Sequence, residues 1–442
     1  MNAQVNTEQV WPFVGTGRGL EIDHAEGAWL YQTNGEKILD AAGGAIVSNV
    51  GHGRQEVVDA MMHGTKKNSY IVPPFLTPER VGLIEQLRRD WLPAGLRRVH
   101  MTCSGSEGTE TALKVALQHH YAKGEESRHK FIGRDVSYHG TSIMALAVGG
   151  HEARKKGVER ILPNFLKTPT PYPLRSPLGR HHPDSGKYYA DQLEALIQQE
   201  GPETIAAFMA ESMNGSSGGA ITPPDDYWPR VQEICRKYGI LLLLDEVMTG
   251  FGRTGKRFGF EHWNIEPDIV VSGKGLGGGY APITGVFATD AVAQPIEAQG
   301  MDVMFHTFAA LPGACAAASA VLNIMTRENL VERAAQMGEK LNAKLHDALG
   351  DHPHVAEIRG KGLLRAIEIV KDRETLELFP LEDNITNSVV GAGLGRGAFF
   401  YPGGTGVVRD IICLGPPYIV TEDEIEFMVD TLKASIDHAT LS

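Results

Sequence analysis

The chain has 442 residues, of which 42% are hydrophobic and 22% are charged. This composition is typical of a globular protein with two or three domains, and it excludes a disordered chain, a collagen and a disulfide-stabilised miniprotein. Asp and Glu number 54 against 42 for Lys and Arg, which gives a formal net charge of −12. Such an acidic chain is not expected to bind nucleic acid, although it can hold a small anion in a local positive site.

Three features predict the cellular location. The four cysteines form no CxxC pair, which favours a reducing compartment. The first residues, 1–14, carry no Lys or Arg before an apolar run, so no secretory signal is predicted. The longest apolar stretches, such as 240–244, are too short to span a bilayer. We therefore expect a soluble cytoplasmic protein with no membrane partner.

The first informative segment in chain order is a Gly/Ser-rich stretch, 104–108, followed by a predicted helix over 109–119. Ala112, Val115 and Ala116 recur there at helical spacing. The free N–H groups and the dipole of such a helix N-terminus form a natural phosphate site. An ordinary serine cap with Glu107 in the first turn is the alternative, and this segment alone does not decide between them.

The middle of the chain alternates strands and helices. Continuous apolar runs at 205–210, 240–244, 268–272 and 283–289 predict strands, and a helix is predicted between the first two, ending before Gly239. Buried strands that alternate with helices indicate an α/β fold with a parallel sheet covered on both faces. Ligands bind beyond the carboxyl ends of such strands, where Asp245 and the glycines of 273–279 lie.

The C-terminal part has a different pattern. Long amphipathic helices are predicted over 330–349 and 422–438, with strands within 355–370 and 406–414 between them. This arrangement predicts a separate, smaller α+β domain. The segment 163–184, rich in Pro, Arg and His, predicts a long surface loop.

Two glycine motifs match known signatures only formally. The segment 215–219 matches GxSxG around Ser217, but no helix start follows it, so a turn is favoured over a hydrolase elbow. The segment 273–278 matches GxGxxG after a predicted strand, but the next strand follows too soon for the crossover helix of a dinucleotide-binding unit.

Lys274 and Asp245 suggest a different chemistry. Lys274 lies between glycines at a strand end, where partial desolvation would lower its pKa and make the amine a nucleophile. Asp245 ends an apolar strand, where a carboxylate needs a cationic partner. Pyridoxal phosphate has an aldehyde, a pyridine nitrogen that must stay protonated and a phosphate, and it would use the lysine, the aspartate and the helix N-terminus together.

At the level of motifs, the chain resembles the class III pyridoxal-phosphate aminotransferases, the ω-aminotransferase or ornithine-aminotransferase-like group. The resemblance is carried by residues 243–255 (LLDEVMTGFGRTG) and 267–279 (PDIVVSGKGLGGG), and also by 40–52 and 359–363. It implies a fold-type I α/β transferase with a large, mostly parallel, seven-stranded-type sheet domain at 61–310. A smaller α+β domain would combine 1–60 with 311–442, and the assembly would be a homodimer with shared active sites.

The resemblance also implies roles for individual residues. Lys274 matches the lysine that forms the Schiff base with pyridoxal 5'-phosphate, and Asp245 matches the partner of the ring nitrogen. The other cofactor-binding positions implied are Gly105 and Ser106 at the phosphate, Tyr138 and Val247 on the two ring faces, His139 and Glu211 near the site, and Thr307, which would reach the neighbouring subunit's phosphate.

The implied activity is transfer of an amino group from an amine or ω-amino acid to a keto acid, with pyruvate expected over 2-oxoglutarate. Ile46 stands where amine-specialised members often carry a bulky aromatic, and Ser216 replaces a second glutamate of ornithine- and GABA-type members. Arg409 is the candidate substrate arginine for the carboxylate, with a surface ion pair to Asp410 as the alternative. A racemase, aminomutase or decarboxylase on the same fold remains open at this point.

Other basic residues are expected to be structural. The pairs His119–His120 and His181–His182 lack a ligand partner at metal-binding spacing and are predicted to be surface histidines. Arg253 is expected to anchor a loop rather than to take part in chemistry.

Overall fold

The structure is a computed structural model that describes residues 20–406 and 408–441. Residues 1–14, for which the sequence predicts no secretory signal, lie outside the described residues. Val407, within the predicted strand 406–414, lies outside them as well. The strands are β1 (Ile22–Glu26), β2 (Trp29–Gln32), β3 (Lys37–Asp40), β4 (Leu96–Thr102), β5 (Lys130–Arg134), β6 (Leu166–Thr168), β7 (Ile205–Glu211), β8 (Leu241–Asp245), β9 (Ile269–Ser272), β10 (Thr284–Thr289), β11 (Val355–Lys361), β12 (Leu364–Ile369), β13 (Ala398–Phe399), β14 (Tyr401–Gly403) and β15 (Ile411–Leu414).

The helices connect and cover these strands. They are α1 (Gly43–Ile46), α2 (Gln55–Lys67), α3 (Pro78–Gln86), α4 (Gly105–Ala122), α5 (Ile143–Val148), α6 (Ser185–Glu200), α7 (Tyr227–Tyr238), α8 (Lys274–Gly277), α9 (Asp290–Ala298), α10 (Pro312–Arg327), α11 (Leu330–Leu349), α12 (Ile385–Gly395) and α13 (Glu422–Thr440). Within the described residues, none is long and apolar enough to cross a membrane.

A seven-stranded sheet in the order β4-β10-β9-β8-β7-β5-β6 forms the centre of the molecule. Its strands β5 to β9 are parallel, as predicted. Strand β10 runs antiparallel to both β4 and β9, so the part of the prediction that placed 283–289 in a parallel sheet was wrong in direction. Only residues 273–283 join β9 to β10, and a parallel connection needs a crossover of about a dozen residues or more, usually a helix.

Successive side chains of β7 and β8 point to opposite faces of this sheet, and both faces are buried. Ala207 and Met209 contribute to one apolar cluster together with Val115 of α4, whereas Phe208 and Ala210 contribute to another together with Trp228 of α7. Each face therefore packs against helices. For this reason the strands are continuously apolar and show no alternation of polar and apolar residues. The fold class is confirmed as α/β with one large, mostly parallel sheet.

Two smaller four-stranded sheets complete the fold. One has the order β11-β12-β15-β14, with α11 packed against β11. The other has the order β1-β2-β3-β13, in which β13 pairs in parallel with β3 through Ala398↔Leu39 and Phe399↔Asp40. The N-terminal strands thus join a strand from the C-terminal part, while the proposed boundaries at 60 and 311 stay a prediction.

Two expectations about surface segments were wrong. The segment 163–184 contains the edge strand β6 and the buried Tyr172, whose hydroxyl donates to Glu368 of β12. His119 and His120 are buried. Their ring nitrogens donate to the backbone carbonyls of Val292 and Ala206, at 3.2 and 2.9 Å, which satisfies these polar groups away from water. A histidine whose ring packs between a helix and a sheet needs such a partner, and residue spacing alone does not reveal it.

Arg253 anchors three separate segments, as expected. Its buried guanidinium donates to the carbonyls of Ser48, Leu363 and Pro416 at 2.7, 3.3 and 2.7 Å, and it lies 4.6 Å from the ring centre of Tyr418. The N-terminal segment, the turn between β11 and β12 and the loop after β15 therefore meet at one side chain of the loop after β8.

Replacing Arg253 should destabilise the whole protein. In Arg253→Met, three buried carbonyls lose their donor, and each unsatisfied group costs about 1–3 kcal/mol, so we expect the free energy of unfolding to fall by about 3 kcal/mol or more. Urea denaturation measures this change. Arg327→Met is the control, since Arg327 pairs with Glu56 on the exposed surface and its loss should change the midpoint little. Equal midpoints for the two variants would contradict the anchoring role.

Candidate active site

The carboxyl ends of β7, β8 and β9 meet at one edge of the large sheet. Glu211 ends β7, Asp245 ends β8, and the two are partners in the parallel register. Lys274 begins α8 directly after the loop that follows β9. All three line one cavity of about 280 Å³, so residues far apart in the sequence converge at the edge where ligands of parallel sheets bind.

The Lys274 amine is prepared to act as a nucleophile. Burial lowers its pKa to about 8, and the nearby carboxylates of Asp245 and Glu211 oppose this shift without cancelling it. A lysine with this pKa has a substantial neutral fraction near pH 8, whereas an ordinary lysine, with a pKa of 10.5, does not.

Asp245 is buried and is held on both of its oxygens. Oδ1 accepts the backbone N–H of Val247 at 2.9 Å, and Oδ2 lies 2.8 Å from Nδ1 of His139. The other ring nitrogen of His139, Nε2, is buried and has no hydrogen-bond partner among the described residues. The pair is therefore positioned beside the cavity, where a carboxylate can neutralise a protonated heterocyclic nitrogen.

Glu211 organises the loops around the cavity. Its oxygens accept the backbone N–H groups of Gly215 at 2.7 Å and Tyr138 at 3.3 Å, and its own carbonyl accepts from the guanidinium of Arg134 at 2.6 Å. Burial raises the pKa of Glu211. The side chain thus ties the loop after β5 to the loop after β7.

The N-terminus of α4 is the candidate anion site. The hydroxyl of Ser104 caps the helix by accepting the N–H of Glu107 at 3.3 Å, and Gly105 and Ser106 follow in the first turn, where N–H groups have no partner within the helix. Ser106 Oγ accepts the N–H of Thr141 at 3.0 Å. A Cβ on Gly140 (φ +134°) would lie 2.5 Å from Ser106 Oγ, so this close approach requires glycine. The predicted serine cap is present, and because it leaves N–H groups of the first turn free, the anion site stays a prediction.

Most of the predicted site residues line the same cavity. Besides the three ionisable residues, they are Gly105, Ser106, Tyr138, His139 and Val247. Val247 also packs on Gly105, since a Cβ at that glycine would lie 3.3 Å from either Val247 methyl group. The cavity is therefore walled by Tyr138, by Val247 and by the helix N-terminus.

Three predicted site residues lie outside this lining. Ile46 is buried, and a Cβ on Gly415 would lie 2.8 Å from its side chain, whereas its neighbour Val47 lines the cavity. The position thus favours Val47 over Ile46 as a substrate contact. Thr307 is exposed, and Arg409 lies 3.9 Å from Asp410 Oδ2, the contact that the sequence left as an alternative.

Sequence reasoning missed most of the apolar wall. The additional lining residues are Val47, Met213, Met248, Ala281, Pro282 and Ile283. Val47 and Met248 lie within the motif segments and the other four lie a few residues from a motif or predicted site residue, so their only signal was proximity in the sequence. Ser217 of the GxSxG match is buried, and no helix begins between Ser212 and Asp226, so the segment is a turn and not a hydrolase elbow.

The cluster suits pyridoxal phosphate. A neutral lysine amine can bond to the aldehyde, the Asp245 carboxylate can pair with the ring nitrogen, and the first turn of α4 can hold the phosphate. Within the described residues no group of three or more His, Cys, Asp and Glu side chains is arranged to hold a metal ion.

Comparisons with known proteins agree with this chemistry. The family described as Aminotransferase class-III matches residues 15–436. The taurine–pyruvate aminotransferase of Bilophila wadsworthia is 36% identical over 422 residues, covering 94% of this chain and 90% of the relative. The putrescine–pyruvate aminotransferase of Pseudomonas aeruginosa is 33% identical over 419 residues, covering 94% and 90%.

A solved structure extends the likeness to the fold. The ω-transaminase of Pseudomonas jessenii in complex with PMP superposes with a TM-score of 0.93 at 31% identity, covering 100% of this chain and 99% of that chain. Because the family match spans nearly the whole sequence and the relatives match it in length, this chain belongs to the class III aminotransferases and is a pyridoxal-phosphate-dependent aminotransferase of the fold-type I architecture.

Proposed function

We propose that the enzyme transfers an amino group from an amine or an ω-amino acid to a keto acid, with pyruvate preferred over 2-oxoglutarate. The observation that carries the acceptor preference is the cavity lining, in which, among the described residues, Lys274 is the only lysine and no arginine is present. The two carboxylates of 2-oxoglutarate would need two cations there, because a buried charge without a partner is costly. The names of two relatives specify pyruvate as the acceptor.

The apolar wall supports the donor class. Val47, Met213, Met248 and Ile283 face the cavity, and Ser216 lines it where ornithine- and GABA-type members place a second glutamate. An amine with an apolar or flexible carbon chain fits such a wall without leaving a charge unpaired.

Lys274 performs the proton transfer in both half-reactions. When bound, pyridoxal phosphate supplies the carbonyl that takes up the amino group and a ring that accepts the electrons of the Cα–H bond. Lys274 would hold the cofactor through its amine until the donor displaces it. The freed, neutral amine would then take the proton from Cα as a general base and deliver it, as a general acid, to the carbon that carried the cofactor's aldehyde. The donor leaves as a carbonyl compound before the keto acid enters, so ping-pong kinetics are expected.

The remaining residues hold the cofactor for this proton transfer. Asp245, oriented by the N–H of Val247 and by His139, keeps the ring nitrogen protonated. Tyr138 and Val247 would enclose the ring, and Gly105 and Ser106 would bind the phosphate. Glu211 supports the loops that carry Tyr138 and Gly215.

We also propose a homodimer in which Thr307 reaches the phosphate of the neighbouring subunit. Thr307 is exposed and lies outside the cavity of its own chain. Exposed apolar side chains surround it: Phe305 and Phe308 are 59% and 62% exposed, and the ring of Phe308 contacts that of Tyr70. Large exposed aromatic residues in contact are typical of a subunit interface.

A substrate panel tests the proposed reaction. Purified holoenzyme supplied with amines and ω-amino acids should form product only when a keto acid is present, with kcat/KM for pyruvate at least about 10-fold above that for 2-oxoglutarate, and Lys274→Ala should lower kcat by about 10²- to 10⁴-fold. Turnover without a keto acid would instead support a racemase, aminomutase or decarboxylase.

Borohydride trapping provides the control for this panel. The cofactor mass should appear on the Lys274 peptide and not on that of Lys167. Burial lowers the pKa of Lys167 to about 7 as well, but its amine donates to the carbonyls of Ala147 and Val148 and is not free to react. Cofactor on Lys167 would contradict the assignment of Lys274.

The lowered pKa of Lys274 predicts a pH dependence of stability in the cofactor-free protein. Between pH 8 and 10.5 the unfolded chain binds more protons at this residue than the folded chain, so the Lys274 contribution to the free energy of unfolding rises with pH across this window. Urea denaturation of wild type and Lys274→Met at several pH values measures it. The stability advantage of the variant should shrink as pH rises, and a constant difference would disprove the shift.

Mixed dimers test the role of Thr307. Lys274→Ala and Thr307→Ala chains should each have low activity, at least at limiting cofactor, but a heterodimer contains one site with both Lys274 and the partner's Thr307. Mixing and refolding the two variants should therefore restore up to half of the wild-type activity per heterodimer. No restoration would show that Thr307 acts within its own chain or that the protein does not dimerise.

A further inference from the structure

We propose that Arg154 binds the carboxylate of the keto acid acceptor, and of donors that carry one, in the place that the sequence assigned to Arg409. This inference rests on the proposed transamination, and it concerns the cation that the cavity lining lacks. Because neither arginine is part of that lining, the cation must come from a side chain at the rim.

Arg154 lies directly behind a wall of the cavity. It ends the short 3₁₀ turn Glu152–Arg154, and its guanidinium carbon lies 4.7 Å from the ring centre of Tyr138, which lines the cavity. A guanidinium over an aromatic face is held in orientation by the ring, while its N–H groups stay available for a bidentate contact with a carboxylate.

The charge of Arg154 has no protein partner. Among the described residues its guanidinium makes no ion pair or hydrogen bond, and the nearest acidic neighbour in the chain, Glu152, is bound by Lys155 at 2.6 Å. The side chain is exposed, so it can remain in water when a donor without a carboxylate occupies the site. This property fits an enzyme that must accept an amine without a carboxylate and a keto acid with one in turn.

The field of Arg154 extends to the reacting groups. Burial is the main reason for the lowered pKa of Lys274, and the charge of Arg154 acts in the same direction. Burial raises the pKa of Tyr401, and the Arg154 charge opposes that shift. Arg154 is therefore near enough to both side chains for its charge to affect their ionisation and to attract an anion nearby.

Arg409 is committed elsewhere. Its guanidinium lies 3.9 Å from Oδ2 of Asp410, an oxygen that is buried and has no hydrogen bond among the described residues. Burial raises the pKa of Asp410 to about 6, and the charge of Arg409 is what opposes that rise. Withdrawing Arg409 toward a substrate would leave Asp410 as a buried carboxylate without its partner, at an energetic cost.

The loops that carry the two arginines form one rim. A Cβ on Gly406 would lie 3.9 Å from Cβ of Ala153, so the segment that leads to Arg409 touches the segment that carries Arg154. The single guanidinium of Arg154 matches one carboxylate, which is the charge of pyruvate and not of 2-oxoglutarate.

Arg154→Met in the holoenzyme tests the assignment, with Arg409→Met as the matched control. For pyruvate, kcat/KM should fall roughly 10- to 100-fold in Arg154→Met, which is the size expected for a lost charged hydrogen-bonded contact. The half-reaction with benzylamine and the turnover of a neutral aldehyde acceptor should stay within about 2-fold of wild type, since neither substrate carries a carboxylate for the guanidinium to attract. Arg154→Lys should recover part of the pyruvate activity, and Arg409→Met should show no pyruvate-specific loss.

A binding measurement separates this inference from the proposed function. Calorimetry with 3-phenylpropionate, a monocarboxylate that cannot react, should show binding to wild-type and Arg409→Met holoenzyme and at least about 10-fold weaker binding to Arg154→Met. If wild type transfers no amino group from any donor, the proposed function fails, and this binding result still decides the role of Arg154. An equal loss for neutral and charged acceptors, unchanged binding in Arg154→Met, or a pyruvate-specific loss in Arg409→Met would each overturn the inference.

Discussion

Two buried carboxylates at the ends of neighbouring parallel strands impose the geometry of this site. Glu211 and Asp245 are register partners at the sheet edge, and a carboxylate removed from water must find hydrogen-bond donors. The donors come from the loops: the N–H groups of Tyr138, Gly215 and Val247, and the ring of His139. The hydrogen bonds to these two carboxylates therefore position the aromatic and aliphatic walls of the cofactor cavity, and cofactor binding depends on this arrangement of the loops.

The reactivity of Lys274 results from a balance between opposing effects. Desolvation favours the neutral amine, the two carboxylates favour the ammonium form, and burial prevails far enough to bring the pKa to about 8. Lys167 shows that a lowered pKa is not sufficient for chemistry, since burial lowers its pKa to about 7 while two backbone carbonyls occupy its amine. What distinguishes Lys274 is an open cavity in front of a neutral amine.

In the proposed scheme substrate choice depends on the rim of the cavity, and the two arginines concerned lie on loops rather than on the sheet. Arg409 lies beside the Asp410 carboxylate, and the ring of Tyr138 orients Arg154 without neutralising its charge. Such an arrangement keeps a cation available at low cost, because an exposed guanidinium is already hydrated. It also explains how closely related family members can share the cofactor site and differ in substrate, since rim loops tolerate change better than strand ends do.

The sequence by itself determined the cofactor chemistry. Lys274 and Asp245 lie in contiguous motifs at the ends of apolar strands, and a strand end, a glycine loop and a helix N-terminus are local features whose roles depend on near neighbours in the chain. Only the tertiary structure decided the direction of β10, the burial of His119 and His120, the contribution of Val47 instead of Ile46, and which of two rim arginines lacks a partner. These depend on which segments meet in space: Ala153 and Gly406 are far apart in the sequence and lie close together only in the folded chain, because local sequence patterns do not encode such long-range contacts.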